Sequence, residues 1–252
     1  MRKATYSAIT VLIIGLCLFS VERLSYGQDQ ESYDVVQELH KTRSILDRVD
    51  NYTAIFVKEE MIKGKMKKPE TIQMKFKKPF QVYMKWIKNP HKGRELIYVQ
   101  GKNDDKLKVH IGGILNLFLP AINLSPDDRN VKDNTRHSIR SAGLHNLMTS
   151  LIQQFELAAE NGHLKTEYHG IEKIGKRDTH KVERILPPDE GYYCYRLILN
   201  VDKDTGLPVR IQVFDWDNTL VERFTYKNID LSTSLTDEDF NPRNKNYAFG
   251  IF

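Results

Sequence analysis

Only two cysteines occur in 252 residues, which excludes a disulfide-dense scaffold. Neither sign of charge dominates: 38 basic residues stand against 33 acidic ones, a formal +5, too balanced for a dedicated nucleic-acid binder. No apolar run reaches the roughly 20 residues that carry a helix across a bilayer, and a mean hydropathy of −0.51 excludes a polytopic membrane protein. The chain has no GxSxG, no P-loop and no GxGxxG, so the commonest nucleophile and phosphate-binding motifs are missing. Its eight histidines, at 40, 91, 110, 137, 145, 163, 169 and 180, never fall in an HExxH, HxH or cysteine-flanked spacing. No metal site, cofactor or catalytic residue is therefore expected. Glu59 and Glu60 are adjacent on a strand pattern and point to opposite faces, so they cannot work as an acid/base pair. Asp202, Asp204 and Gly206 resemble the start of a calcium loop, but Val213 stands at the twelfth position, where such a loop has a glutamate. A hairpin turn is the better reading. Asn51-Tyr52-Thr53 and Asn123-Leu124-Ser125 fit a glycosylation sequon, which is short enough to arise by chance.

What is there begins with an address. Arg2 and Lys3 precede an uncharged, largely apolar stretch, Ala8 to Val21, and Ser25-Tyr26-Gly27 puts small residues around a cut before Gln28. This is the pattern of a cleaved secretory signal peptide over residues 1–27, with a retained anchor as the alternative. Leu16 stands where a lipobox has a small residue before its cysteine, which argues against lipidation of Cys17. Cleavage leaves 28–252 as a single domain, located in the periplasm or otherwise exported, and leaves Cys194 unpaired, read as a buried thiol in a strand.

Val35, Leu39, Thr42, Leu46 and Val49 recur at spacings of four and three, the mark of an amphipathic helix. The period then changes to two. Ile72, Met74 and Phe76, and after Lys78-Pro79 also Phe80, Val82, Met84 and Trp86, lie on one face of two strands, with Gln73, Lys75, Gln81, Tyr83 and Lys85 on the other. Ile111 to Leu124 is a run of fourteen residues without a charge, with Gly112-Gly113 as a hinge and Pro120 within it. Leu144, Leu147, Leu151, Phe155 and Ala158 then predict a second helix, stopped at Asn161-Gly162. Strands are predicted at 164–171, 179–186, 192–201, 209–216 and 220–229, joined by short turns. The sum is an α+β domain of nine or ten antiparallel strands and two or three helices. Between Lys58 and Lys108, fifteen lysines and arginines face six acidic residues, either a solvated outer face or a surface for anionic lipid headgroups.

The block Lys77-Lys78-Pro79-Phe80-Gln81-Val82-Tyr83-Met84-Lys85-Trp86, followed by Gly93-Arg94-Glu95-Leu96-Ile97-Tyr98-Val99-Gln100-Gly101, resembles the superfamily of periplasmic lipoprotein carriers typified by LolA and LolB. More closely, the chain resembles a bacterial family of unassigned function within that superfamily. Asp204-Thr205-Gly206-Leu207-Pro208-Val209 and Phe224-Tyr226-Asn228-Ile229 fit the same pattern, so that the likeness runs over roughly residues 34 to 240. The resemblance implies an unclosed antiparallel β-barrel, a LolA-like half barrel, with helices covering a concave face that encloses acyl chains. Residues 111–163 depart from the pattern in being longer than a simple lid.

Met74, Phe76, Phe80, Val82, Met84 and Trp86 are accordingly expected to line a lipid-binding cavity. Ile114, Leu115, Leu117, Phe118, Leu144, Leu147, Leu151 and Phe155 are expected to form its lid. The expected function is a non-catalytic, monomeric carrier or binding module whose partners are the acyl chain of a lipid or lipoprotein and an anionic membrane surface, with no nucleic acid. The alternatives are an envelope structural or interaction protein whose cavity is filled by its own side chains, and a secreted hydrolase.

Overall fold

The first helix needs a cap, and the sequence supplies one. The side chain of Asp34 accepts from the amide of Gln37 at 3.0 Å and starts α1 (Val35–Asp47), whose buried side is Val35, Leu39, Thr42 and Leu46. This computed structural model describes residues 33–113, 119–188 and 190–249. The signal-peptide reading of 1–27 lies outside the described residues, as do Ile114, Leu115, Leu117 and Phe118 of the predicted lid.

After α1, Tyr52, Ala54 and Phe56 turn inward while Thr53, Ile55 and Val57 stay half-buried on the other side of β1 (Asn51–Ile62), the longest strand among the described residues. Then come β2 (Lys65–Met66), β3 (Glu70–Lys77), β4 (Gln81–Trp86), β5 (Glu95–Val99), β6 (Leu107–His110) and β7 (Ile122–Leu124). The short α2 (Arg129–Lys132) and the long α3 (Leu144–Glu160) separate these from β8 (Lys165–Ile174), β9 (Arg177–Ile185), β10 (Arg196–Asp202), β11 (Pro208–Phe214) and β12 (Leu220–Asp230). The strands form one antiparallel sheet in the order β7-β6-β5-β4-β3-β1-β12-β11-β10-β9-β8, with β2 paired to β1 off that path. Two meanders thus meet along a central seam, where Phe56 faces Tyr226 and Glu60 faces Glu222. The order ends at β7 and β8, so the barrel is unclosed.

Twelve strands exceed the nine or ten expected. The difference comes from the two-residue β2 and from β7, which is built from the end of the charge-free run. The predicted strand 192–201 begins only at Arg196. The residues before it turn toward the end of α3 instead, where the Tyr192 hydroxyl lies 3.0 Å from both Asn161 Nδ2 and His163 Nδ1. Cys194 is buried as expected, but in this turn rather than in a strand.

One core joins α1 and α3 to the inward residues of both meanders, from Trp86 and Tyr98 on one side to Val182 and Leu199 on the other. A second, smaller core lies on the opposite face. Its members are Tyr83 and Ile97 from the sheet and Phe240 and Phe249 from the chain beyond β12. The face predicted to be wet is therefore covered in part by the C-terminal segment.

Candidate functional site

Of the six residues predicted to line a cavity, five share one face of β3 and β4, because strand side chains alternate, and Phe80 stands in the turn just before β4. Cross-strand pairs Met74–Met84, Phe76–Val82 and Ile72–Trp86 hold them in register. All six are buried, between fully enclosed Val82 and Phe80 at 8% exposure. Leu144, Leu151 and Phe155 of the predicted lid belong to the same core, and Leu147 packs at its margin. The helical stripe is turned slightly from the predicted one, since Met148 and Ile152 also face the core. Their signal was present at spacings of four from Leu144, and the leucine at 147 obscured it.

The start of α3 is seated unusually tightly. Gly143, at φ 99°, precedes the helix and offers no side-chain cap. A Cβ there would come to 3.0 Å from the Phe76 ring and the Tyr52 hydroxyl. The Tyr52 hydroxyl takes over the cap by accepting from the Leu144 amide at 2.8 Å, inside the core.

Polar contacts fasten the segment leading into α3. At one place Arg140 donates to Asp105 at 2.6 Å and to Asp127 at 2.9 Å, while the Tyr98 hydroxyl donates to Asp105 at 2.8 Å. The Arg140 hydrogen bond, reinforced by Tyr98, pulls the Asp105 carboxyl down to about 2. At another, the buried Glu222 of β12 receives Arg136 at 2.5 Å, His137 at 3.0 Å and the Tyr193 hydroxyl. Burial alone would raise the Glu222 carboxyl, but hydrogen bonds from His137, Tyr193 and Arg136 outweigh it and hold the carboxyl below the ordinary range. Glu60, opposite on β1, takes Lys58 at 3.1 Å and Thr135 at 3.3 Å. Helix α1 is tied to α3 through His40 and Glu156, 2.9 Å apart, and through Arg43 to Thr149.

The described ends of the charge-free run are solvent-facing: Ile111, Leu119 and Ile122 are 43%, 47% and 39% exposed. On the outer face, Lys75 is bound by Asp239 at 2.7 Å and by Tyr247 at 3.1 Å, Lys77 by Asp237 at 2.6 Å, and Lys85 by Glu95 at 2.8 Å. Part of the basic face is thus neutralised by the C-terminal segment. Beside it lies an open groove of about 410 Å³ whose lining includes Ile97, Val99, Lys102, Lys106, Lys108 and Phe240. Among the described residues no group of three or more His, Cys, Asp or Glu side chains could hold a metal ion. The Asp202 carboxylate is used by Thr205 of its own turn at 2.7 Å and 2.8 Å and by Arg177 of β9 at 2.9 Å.

A twelve-stranded antiparallel sheet that stays open, with two helices laid across its apolar face, is the half-barrel architecture that the sequence resemblance implied. The chain belongs to the family described as "Protein of unknown function (DUF1571)", which matches residues 49–249. No curated protein matches it in sequence. Among solved structures it is similar to the lipoprotein LppX of Mycobacterium tuberculosis, at 15% identity over 80% of this chain and 98% of that one, with a TM-score of 0.48. It is also similar to a LolA superfamily protein of Nitrosomonas europaea, at 13% identity over 81% and 96%, TM-score 0.38. A third is the MucA/MucB complex of Pseudomonas aeruginosa, at 15% identity over 82% of this chain and 60% of that one, TM-score 0.46.

Proposed function

We propose that the protein is an exported, non-catalytic carrier or binding module for the acyl chain of a lipid or a lipidated protein, with residues 28–252 acting as one unit and residues 1–27 as its signal peptide. The observation that carries this reading is the contrast between the cover and what it covers. The segment entering α3 is fastened at one margin by ion pairs of part-exposed Arg140 with Asp105 and Asp127, a class of contact worth about 1 kcal/mol or less each where water reaches it. Beneath lie Met74, Met84, Phe76, Phe80 and Trp86, apolar side chains whose contacts an acyl chain can replace, the methionines by changing shape. Each buried methylene contributes about 0.8 kcal/mol, so one long chain offers on the order of 10 kcal/mol before ordering costs. On this reading α3, with Leu144, Leu147, Leu151 and Phe155, is the movable cover, and a ligand selects the displaced state. The lysines of the outer face that the C-terminal segment leaves free attract an anionic membrane surface.

The second reading, an envelope interaction protein with a self-filled interior, is favoured by the near-complete burial of the same six side chains. Native mass spectrometry of protein purified from its own host separates the two. Co-purifying lipid, with a rise in melting temperature on adding long-chain lipid, is the expected result. Protein that is lipid-free and does not respond to any long-chain amphiphile overturns the carrier reading.

A further inference from the structure

Arg184 is among the largest fully buried side chains of the protein, at 1% exposure. It sits on β9 between Leu197 of β10 and Thr166 of β8, on the same face of the strand as Val182, which belongs to the main core. Its guanidinium lies over the Phe155 ring of α3, 5.0 Å from the centroid. Its one hydrogen bond among the described residues runs from Nη2 to the Cys194 sulfur at 3.1 Å, and Nε and Nη1 have no partner. Among the described residues it makes no ion pair. Burial holds its pKa below the usual arginine value, yet a guanidinium remains charged at any physiological pH.

A buried cation with four of its five N–H donors unmet among the described residues is a standing cost to the ligand-free fold. A thiol and a ring face are weak compensation. The group that would complete the site is an oxyanion, and the place is the underside of α3, the element assigned above as the cover. The thin side of the sheet lies next to it, for β8 is an edge strand with mostly exposed or half-buried residues.

We infer that Arg184 is the anchor for the oxyanionic head, carboxylate or phosphate, of an acyl-chain ligand that enters beneath α3 and lays its chain across the apolar face toward β3 and β4. This rests on the carrier reading and deepens it, since it selects anionic amphiphiles over neutral ones of equal length. Phe155, stacked on the guanidinium in the ligand-free state, is the side chain the head displaces.

The test compares a long-chain fatty acid, a lysophospholipid and a fatty alcohol of the same chain length, each below its micelle concentration, against the wild type, Arg184→Met and Arg184→Lys. The wild type should bind the fatty acid or the lysophospholipid on the order of 10- to 100-fold more tightly than the alcohol, the worth of a charge-assisted hydrogen bond. Which of the two binds more tightly identifies the head as carboxylate or phosphate. Arg184→Met should erase that preference while keeping the alcohol affinity, and its ligand-free form should melt at a higher temperature. Arg184→Lys should keep part of the preference. Equal binding of acid, lysophospholipid and alcohol by the wild type, or an undiminished preference in a folded Arg184→Met, overturns the anchor and leaves the carrier reading standing. Should Arg184→Met not fold, the wild-type ratio and Arg184→Lys decide. Binding of none of the three overturns the carrier reading, and the anchor falls with it.

Discussion

Replacing Tyr52 by phenylalanine removes a single oxygen from the middle of the protein and tests whether α3 is a cover or a fixture. The ring keeps its stack on Phe76, with centroids 5.2 Å apart, so packing is preserved. What is lost is the acceptor for the Leu144 amide, at a helix start where Gly143 has no side chain to take its place. Leu144 is fully enclosed, so water does not readily substitute, and an unmet buried donor costs about 1–3 kcal/mol. Tyr52→Phe should therefore lower the unfolding free energy in urea by about 1–2 kcal/mol and raise amide exchange in the first turn of α3 about tenfold. Displacing a destabilised cover costs less, so the same variant should bind an acyl ligand more tightly, by up to about tenfold. Loss of stability together with gain of affinity is the signature of a displaced helix. Unchanged stability would refute the capping role of Tyr52, and a loss of stability with unchanged or weaker binding would refute the displacement of α3.

Two further outcomes follow from the charged groups. Glu222 is held below its ordinary pKa in the folded protein, so its contribution to stability is full above about pH 4.5, the unfolded value, and is lost as pH falls through the lower native one. Glu222→Gln should cost about 1–3 kcal/mol at pH 7 and flatten the acid limb of the stability curve, and equal acid slopes in both proteins would sink this assignment. On the outer face, glutamine at Lys102, Lys106 and Lys108 should weaken binding to anionic liposomes and reduce its salt dependence without changing the melting temperature. Glutamine at Lys75 or Lys77, which hold Asp239 and Asp237, should lower the melting temperature instead, and liposome binding indifferent to salt would leave all these lysines as solvated surface.

The strands that alternate strictly were legible residue by residue. Met74, Phe76, Val82, Met84 and Trp86 fall on one buried face because a period of two admits only one register. The helix at 144–160 was legible as an element but not in its rotation, since Leu147 and Met148 compete for the same stripe and hydropathy alone does not separate neighbours. The C-terminal segment was not legible at all. Phe240, Tyr247 and Phe249 have no periodicity, and their partners Tyr83 and Ile97 occupy positions that read as the polar side of strands. Arg184 was hidden for a related reason. Its neighbours alternate in burial along β9, but an arginine on the inward side looks in sequence like one more residue of the wet face. Glu222 with Arg136, His137 and Tyr193 assembles from distant segments, and nothing local announces it.

The seam between the two meanders has a consequence for how the chain is made. Glu59 and Arg223, which pair across it, are 164 residues apart in sequence, and β1 has its neighbour β12 only when nearly all of the polypeptide exists. Neighbouring strands within a meander pair residues far nearer in sequence, at the widest Asn51 with Lys77. During synthesis the first meander can zip up as β1 to β7 while β1 still presents an unpaired edge and an apolar face to its surroundings, the situation most prone to wrong pairing. Closure at high sequence separation is slow. A chain cut short anywhere before β12 therefore leaves its longest strand as a sticky margin rather than a smaller version of the same protein.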